Sequence, residues 1–477
     1  MPSRLDAVVI GSGPNGMAAA IELARNGASV LVVEAAATIG GGTRTAELTL
    51  PGYHHDVCSA AHPLGILSPY LTKLPLAEHG LTWIQPSASV AHPLDGEPAV
   101  ILRKSMDATA GSLGPDAGAY RRLIGPLLRH PHELFAEILG PAHLPRHPFL
   151  LGRFGVPALM PATMLGRGWF RGDRARALLA GCAAHSILPL TRPVSAAAGL
   201  LFLLTAHVET WPIAAGGSAS ISSALAGYLR SLGGRIVTGK PVQALADLPA
   251  SRIVLFDTGP DQLATIAAPV LPTRYVRRLR RYRFGPGIFK MDWALSGPIP
   301  WSDPACLEAA TVHVGGTLDE IASSERAVWR GEHSDRPFMI VVQPSLFDPS
   351  RAPAGKHTGW AYCHVPAGST LDRTDVLERQ VERFAPGFRD RILARHVMQT
   401  ADLEQYDANY VGGAITGGVT DLGQLFTRPV ARADPYSTPN PDIFICSAST
   451  PPGGGVHGMC GYHAARSALR RLATVAV

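Results

Sequence analysis

The densest chemistry in this sequence lies in bare backbone positions. Gly11-x-Gly13-x-x-Gly16, with Pro14 and Asn15 inside it, follows a short apolar run. Glycines at this spacing turn the chain tightly, bring N–H groups against a diphosphate and let a helix pack closely on the preceding strand. The helix N-terminus adds partial positive charge. Glu34, eighteen residues beyond Gly16, is placed to accept hydrogen bonds from ribose hydroxyls, and a carboxylate there disfavours a 2′-phosphate. A second glycine group, Gly40-Gly41-Gly42 with Thr43 and Arg44, comes soon after. A third, Gly453-Gly454-Gly455, is near the far terminus. Three side chains could carry proton chemistry: Lys290, His457 and His62.

These positions need a frame. Leu5 to Ile10 predicts a buried parallel strand. Met17 to Asn26 has helical apolar spacing and stops at Gly27. Ser29 to Val33 reads as a second strand, with Glu34 and Ala35 at its end. Strand, turn, helix, strand and terminal acid in register predict dinucleotide binding rather than a glycine-rich turn alone. Ile221, Leu225, Leu229 and Leu232 stack on one helical face stopped by Gly233-Gly234, and a strand then leads to Val242. "FGPGIFKMDWALSGPIPW" predicts a strand with Ile288, Lys290 and Asp292 on one face and Phe289, Met291 and Trp293 on the other. "DIFICSAS" predicts a strand, and "TPPGGGVHGMCG" the turn into a last helix. "YVGGAITGG" lacks a strand–turn–helix frame and is not read as a second nucleotide site.

The stretch "IGGGTRT" resembles the GG-x-x-R motif of flavoproteins of the amine oxidase and phytoene desaturase superfamily. The segments "PGYHHDVCSAAHPLG", the helix and strand through Val242, "IFKMDW" and "TPPGGGVHGM" are similar to its phytoene-dehydrogenase-like branch. That resemblance implies FAD as the cofactor. Gly41, Gly42, Thr43 and Arg44 would approach its diphosphate and flavin, and Val242 would meet the adenine through its backbone. Gly454, Gly455, Val456, His457 and Met459 would lie along the ribityl chain and the isoalloxazine. His55, Asp56 and His62 would be near the cofactor, each in a structural role, with a catalytic one as the alternative. Lys290 resembles a lysine that holds water against the flavin in amine oxidases. The alternative is a structural pair with Asp292 on a wet strand face.

The sequence has 477 residues, 46% of them hydrophobic, with net charge +6. That excess is small for the length and excludes a nucleic-acid footprint. Only five of its 43 basic residues are lysines, so Lys290 inside an apolar strand is an anomaly. Six scattered cysteines show no metal spacing and fit reduced thiols in the cytoplasm. The early first strand leaves no room for a signal peptide, and "SAAAGLLFLLTAHV" is too short to cross a bilayer. The arginines from Arg274 to Arg283 read as a solvated helix face, with anionic lipid as the alternative.

The expectation is an α/β fold. A Rossmann-like FAD-binding domain (residues 1–95, 206–275 and 426–477) is interleaved with an α+β substrate domain (96–205 and 276–425). The favoured function is a desaturase or dehydrogenase that removes hydride from a C–H bond of an apolar small molecule. One nucleotide motif favours O2, a quinone or another carrier as the electron acceptor. A flavin amine oxidase and a non-catalytic flavin-binding partner are the alternatives. Peripheral membrane contact and the oligomeric state are open.

Overall fold

The computed structural model describes residues 4–475. Residues 1–3 and 476–477, the outermost limits of the expected nucleotide domain, lie outside them. Two sheets carry the fold, with strands β1 (Leu5–Ile10), β2 (Val30–Val33), β3 (Ala88–Leu94), β4 (Glu97–Leu102), β5 (Arg235–Val237), β6 (Ser251–Phe256), β7 (Gly287–Leu295), β8 (Ala309–Val314), β9 (Met339–Val342), β10 (His357–Val365), β11 (Ile392–Met398) and β12 (Ile443–Ile445). The first sheet has the order β12-β6-β1-β2-β5 and is wholly parallel. The second has the order β11-β7-β10-β9-β8-β3-β4 and is antiparallel except for the β3–β8 pair.

The helices that matter for the site are α1 (Pro14–Arg25), α2 (Asp173–Ala184), α3 (Ser195–Val208), α4 (Ala219–Ser231) and α5 (Met459–Val475). Helix α1 starts with Pro14 at its first turn, where a missing N–H costs nothing, and ends at Gly27 with φ +82°. Helix α5 crosses it so closely that a Cβ on Gly461 would overlap the carbonyl oxygen of Asn15. The first sheet thus draws strands from three stretches far apart in sequence, and its parallel order explains their continuous apolar runs.

The expected cut at residue 95 falls in the turn of the β3–β4 hairpin, and both strands belong to the second sheet. Strand β3 is fully buried, and its partner β8 is about two hundred residues away in the chain, a pairing that local pattern does not reveal. Between β5 and β6 the chain makes only a 3-10 turn at Leu245–Asp247. All six arginines from Arg274 to Arg283 are exposed, as a solvated face requires.

Both faces of β7 are buried. Phe289, Met291 and Trp293 pack into one core and Ile288 into another. Register places Lys290 opposite Tyr362, Tyr362 opposite Ile340, and Ile340 opposite His313. The adjacent row runs Asp292, Trp360, Val342, Thr311. Directly opposed residues share a face, so this side of the sheet is a mixed polar and aromatic floor. There is no wet face here: Lys290 and Asp292 are both 0% exposed.

Candidate functional site: a cavity joining the two sheets

One cavity of about 710 Å³ runs from the ends of β1, β2 and β6 to the floor of the second sheet. At its first end, Gly11 has φ +98°, open to glycine and strained for other residues. The glycines of this motif are also dictated by a residue the motif reading missed. Added Cβ atoms on Gly13 and Gly16 would lie 2.7 and 2.8 Å from Asp257 Oδ2, and one on Gly11 would lie 2.9 Å from the Asp257 carbonyl oxygen. Asp257, at the end of β6, accepts the Gly16 N–H at 2.8 Å. Burial pushes its carboxyl well above the ordinary value, with Asp407 and Glu34 adding to the shift, against the lowering by the Gly16 bond.

Glu34 Oε2 accepts from the Ser12 N–H at 2.9 Å and the Ser12 hydroxyl at 2.6 Å, and Oε1 from the Ala36 N–H at 2.9 Å. Arg44 lies 3.4 Å from Glu34, donates to the Thr38 and Ile39 carbonyls, and packs 5.2 Å from the Tyr406 ring centre. Tyr406 in turn donates to the Gly41 carbonyl at 2.6 Å. Opposite, a Cβ on Gly454 would come within 2.5 Å of the Thr416 carbonyl oxygen. Three glycine groups, Glu34 and Arg44 therefore form one cradle.

These residues fit a flavin dinucleotide. Bare backbone lines the cavity at Gly11, Gly13, Gly41, Gly42, Gly454 and Gly455. Asn15 Oδ1, on the first turn of α1, is buried without a partner. Of the cofactor residues expected from the sequence, all line the cavity except Gly16, His457 and Met459. Gly16 instead sits against Asp257, and Met459 belongs to the core as the first residue of α5.

None of the three expected proton carriers lines the cavity. His457 Nδ1 accepts the Met459 N–H at 3.0 Å, which makes it a cap for α5. His62 lies 3.0 Å from Ser218 Oγ and 3.4 Å from Ser59 Oγ, pinning its loop. Burial holds both imidazoles down at about 4. Lys290 is paired with Asp292 and lies 5.8 Å from the centre of the ring of Trp360, a residue that does line the cavity. Burial opposes ionisation of Asp292, yet Lys290, His396 and His55 together outweigh it and hold the carboxyl below its ordinary value. His55 and His396 stand 3.7 and 3.4 Å from the same carboxylate. His55 itself is lowered by burial to about 4. Asp56 is a second buried knot, accepting from Arg351 at 2.8 Å, Thr45 at 2.8 Å and the Ser218 N–H at 2.7 Å.

The sequence reading also missed the segment around Tyr406, Asp407, Tyr410 and Thr416, which lines the cavity between the glycine groups. Its one legible signal was the pair of glycine doublets at 412–413 and 417–418, all four with positive φ. The far end of the cavity is lined by Leu64, Ile187, Phe202, Ile340 and Val342 together with His185, Thr311, Trp360 and Tyr362. The acidic lining residues, Glu34, Asp257 and Asp407, are all on the nucleotide side.

A family model described as an NAD(P)-binding Rossmann-like domain matches residues 9–73. A rat protein named pyridine nucleotide-disulfide oxidoreductase domain-containing protein 2 is 26% identical, over 98% of this chain and 94% of its own. Two solved structures share the fold. An oxidoreductase from Methanosarcina mazei has a TM-score of 0.66 at 15% identity, covering 98% of this chain and 100% of its own. A putrescine oxidase, solved with putrescine bound, has a TM-score of 0.63 at 19% identity, covering 99% of both chains. These matches do not single out the phytoene desaturase branch. The chain thus carries a match to a Rossmann-like nucleotide-binding region and is similar along its length to a protein named as an oxidoreductase, and it shares its two-sheet fold with the two solved structures.

Proposed function

We propose that this chain is an FAD-dependent dehydrogenase or desaturase that removes hydride from a C–H bond of a neutral, largely apolar small molecule. The observation that carries the reading is the continuity of one cavity between a dinucleotide cradle and an apolar chamber without a carboxylate. FAD in the cradle supplies the two-electron acceptor. The chain's own residues bind and orient. Glu34 takes the ribose, the glycine groups and Arg44 take the diphosphate and flavin edge, and Val242 takes the adenine side. The second sheet and α3 wall the chamber and exclude water. A single nucleotide motif favours O2, a quinone or another carrier as the final acceptor.

The amine oxidase reading is weaker on the same ground. A cationic amine at the far end would find His185, Thr311, Trp360 and Tyr362 but no counter-charge among the lining residues. A non-catalytic flavin-binding role would leave the apolar chamber without an occupant. All six cysteines are buried and unpaired, which supports a reducing compartment such as the cytoplasm. No helix among the described residues is long and apolar enough to cross a membrane. Leu144 and Phe149, 92% and 93% exposed, support peripheral membrane contact.

The test is anaerobic mixing of the flavin-loaded protein with panels of neutral hydrocarbons, alcohols and amines. Bleaching of the flavin absorbance by a neutral apolar compound is the expected result. Bleaching by amines alone would replace this reading with the amine oxidase one.

A further inference from the structure

Three histidines stand in line at the far end of the cavity. His185, directly after α2, lines it, and its Nε2 lies 2.9 Å from Nε2 of His313 on β8. Nδ1 of His313 and Nδ1 of His92 on β3 are both buried without partners. The two atoms converge on Gly181 of α2, where an added Cβ would sit 2.7 Å from the first and 2.9 Å from the second. His92 Nε2 lies 2.7 Å from the Gly316 carbonyl oxygen.

A carbonyl can only accept, so His92 carries its proton on Nε2 and its Nδ1 is a bare lone pair. Burial lowers all three rings, His92 to about 4, His185 to about 3 and His313 well below its ordinary value. Each ring therefore holds one proton near neutral pH. The bare Nδ1 of His92, facing His313 across Gly181, favours the His313 tautomer with its proton on Nδ1. His313 Nε2 is then an acceptor, and His185 Nε2–H donates to it. With the protons so placed by two hydrogen bonds and by the approach of the two Nδ1 atoms, His185 has a bare Nδ1. Phe202 packs 4.5 Å away, ring centre to ring centre, and Ile187, Leu64 and Ile340 line the same chamber.

We propose that His185 Nδ1 accepts a hydrogen bond from a hydroxyl group on an otherwise apolar substrate, so that the chamber selects alcohols over the matching ethers and ketones. The inference rests on the reading of this cavity as a substrate chamber. His313 and His92 act through His185 as positioning residues, holding its tautomer.

Calorimetric titration of the flavin-loaded full chain with 1-decanol, 1-methoxydecane and 2-decanone tests it. The alcohol, which alone donates a proton, is expected to bind about tenfold more tightly than the other two, the worth of one hydrogen bond. His185→Leu is expected to level the three, and His185→Gln, which keeps an acceptor oxygen, to restore part of the preference. ¹⁵N spectra of histidine-labelled wild type, which need no variant to fold, should show His185 as the Nε2–H tautomer. An Nδ1–H tautomer overturns the proposal. So does equal affinity for the three probes, no binding of any of them, or wild-type selectivity in His185→Leu. Flavin content, read separately by absorbance, reports on the functional reading: alcohol selectivity in a protein that holds no flavin would sink that reading and leave this one standing.

Discussion

At the nucleotide end of the cavity, glycines bring backbone to the surface among charged side chains that include Glu34, Arg44, Asp257 and Asp407. At the far end, His185, Thr311, Trp360 and Tyr362 present side chains from the loop after α2 and from two strands of a mixed sheet. The first end rests on close approach, which a single methyl group would destroy. The second rests on buried titratable groups whose protonation states are set by burial and by one another. One region is thus sensitive to volume and the other to charge.

Acidification should have the largest effect, reaching the charge-built end through His185 and His92 and the rest of the fold through His55, His62 and His457. His55, His62, His92 and His457 are held down at about 4 by burial, and His185 at about 3. Unfolded histidine takes up its proton near 6.5, so the unfolded state binds more protons below that pH and stability falls as pH drops from 6.5 towards 4. Cooperative unfolding in that window, followed by tryptophan fluorescence, is expected. A chain stable to pH 4 would contradict the neutral burial of these rings.

Lys290→Met should come next, costing about 3–5 kcal/mol by leaving Asp292 buried without its cation, with only His55 and His396 beside it. Lys290→Met combined with Asp292→Leu should recover most of that in urea unfolding. With Lys290 outside the cavity, the double variant should reduce its flavin at the wild-type rate. A slowed reduction would return Lys290 to the chemistry.

Gly461→Ala probes the volume-built end. Its methyl group would push α5 off α1 at a cost of about 3 kcal/mol, read from the urea midpoint, and should release flavin from the cradle. Asp257→Asn is the smallest and has the opposite sign. The carboxyl is raised in the folded state, so the native chain keeps a proton that the unfolded chain loses above about pH 4, and wild-type stability declines with rising pH on this account. The amide should raise the midpoint at pH 7 and flatten that slope while still accepting the Gly16 N–H.

Much of the cradle was legible because its parts are local. The first strand, turn, helix and second strand are contiguous, and their periodicities and glycines stand on one short stretch. The third glycine group was legible only through resemblance, since four hundred residues separate it from the first. Whether the candidate proton carriers face the cavity was not legible, for a physical reason. A lysine, a histidine near a glycine turn and a histidine before a proline look alike in sequence whether they face a cavity or satisfy buried partners. Lys290 found Asp292, His457 found the end of α5, and His62 found Ser218. Conversely, His185 and Asp257 carried no motif, and what marks them is the company they keep in space.

By itself the sequence determined which segments would be strand, helix and glycine turn, and that a dinucleotide cradle would form at the ends of parallel strands. Local sterics and apolar periodicity act over a few residues, and these a sequence carries openly. Only the tertiary structure decided which titratable groups would be buried, paired or turned towards the cavity. Those outcomes depend on pairings such as β3 with β8 and on the seating of α2 against the second sheet, contacts between residues more than seventy positions apart.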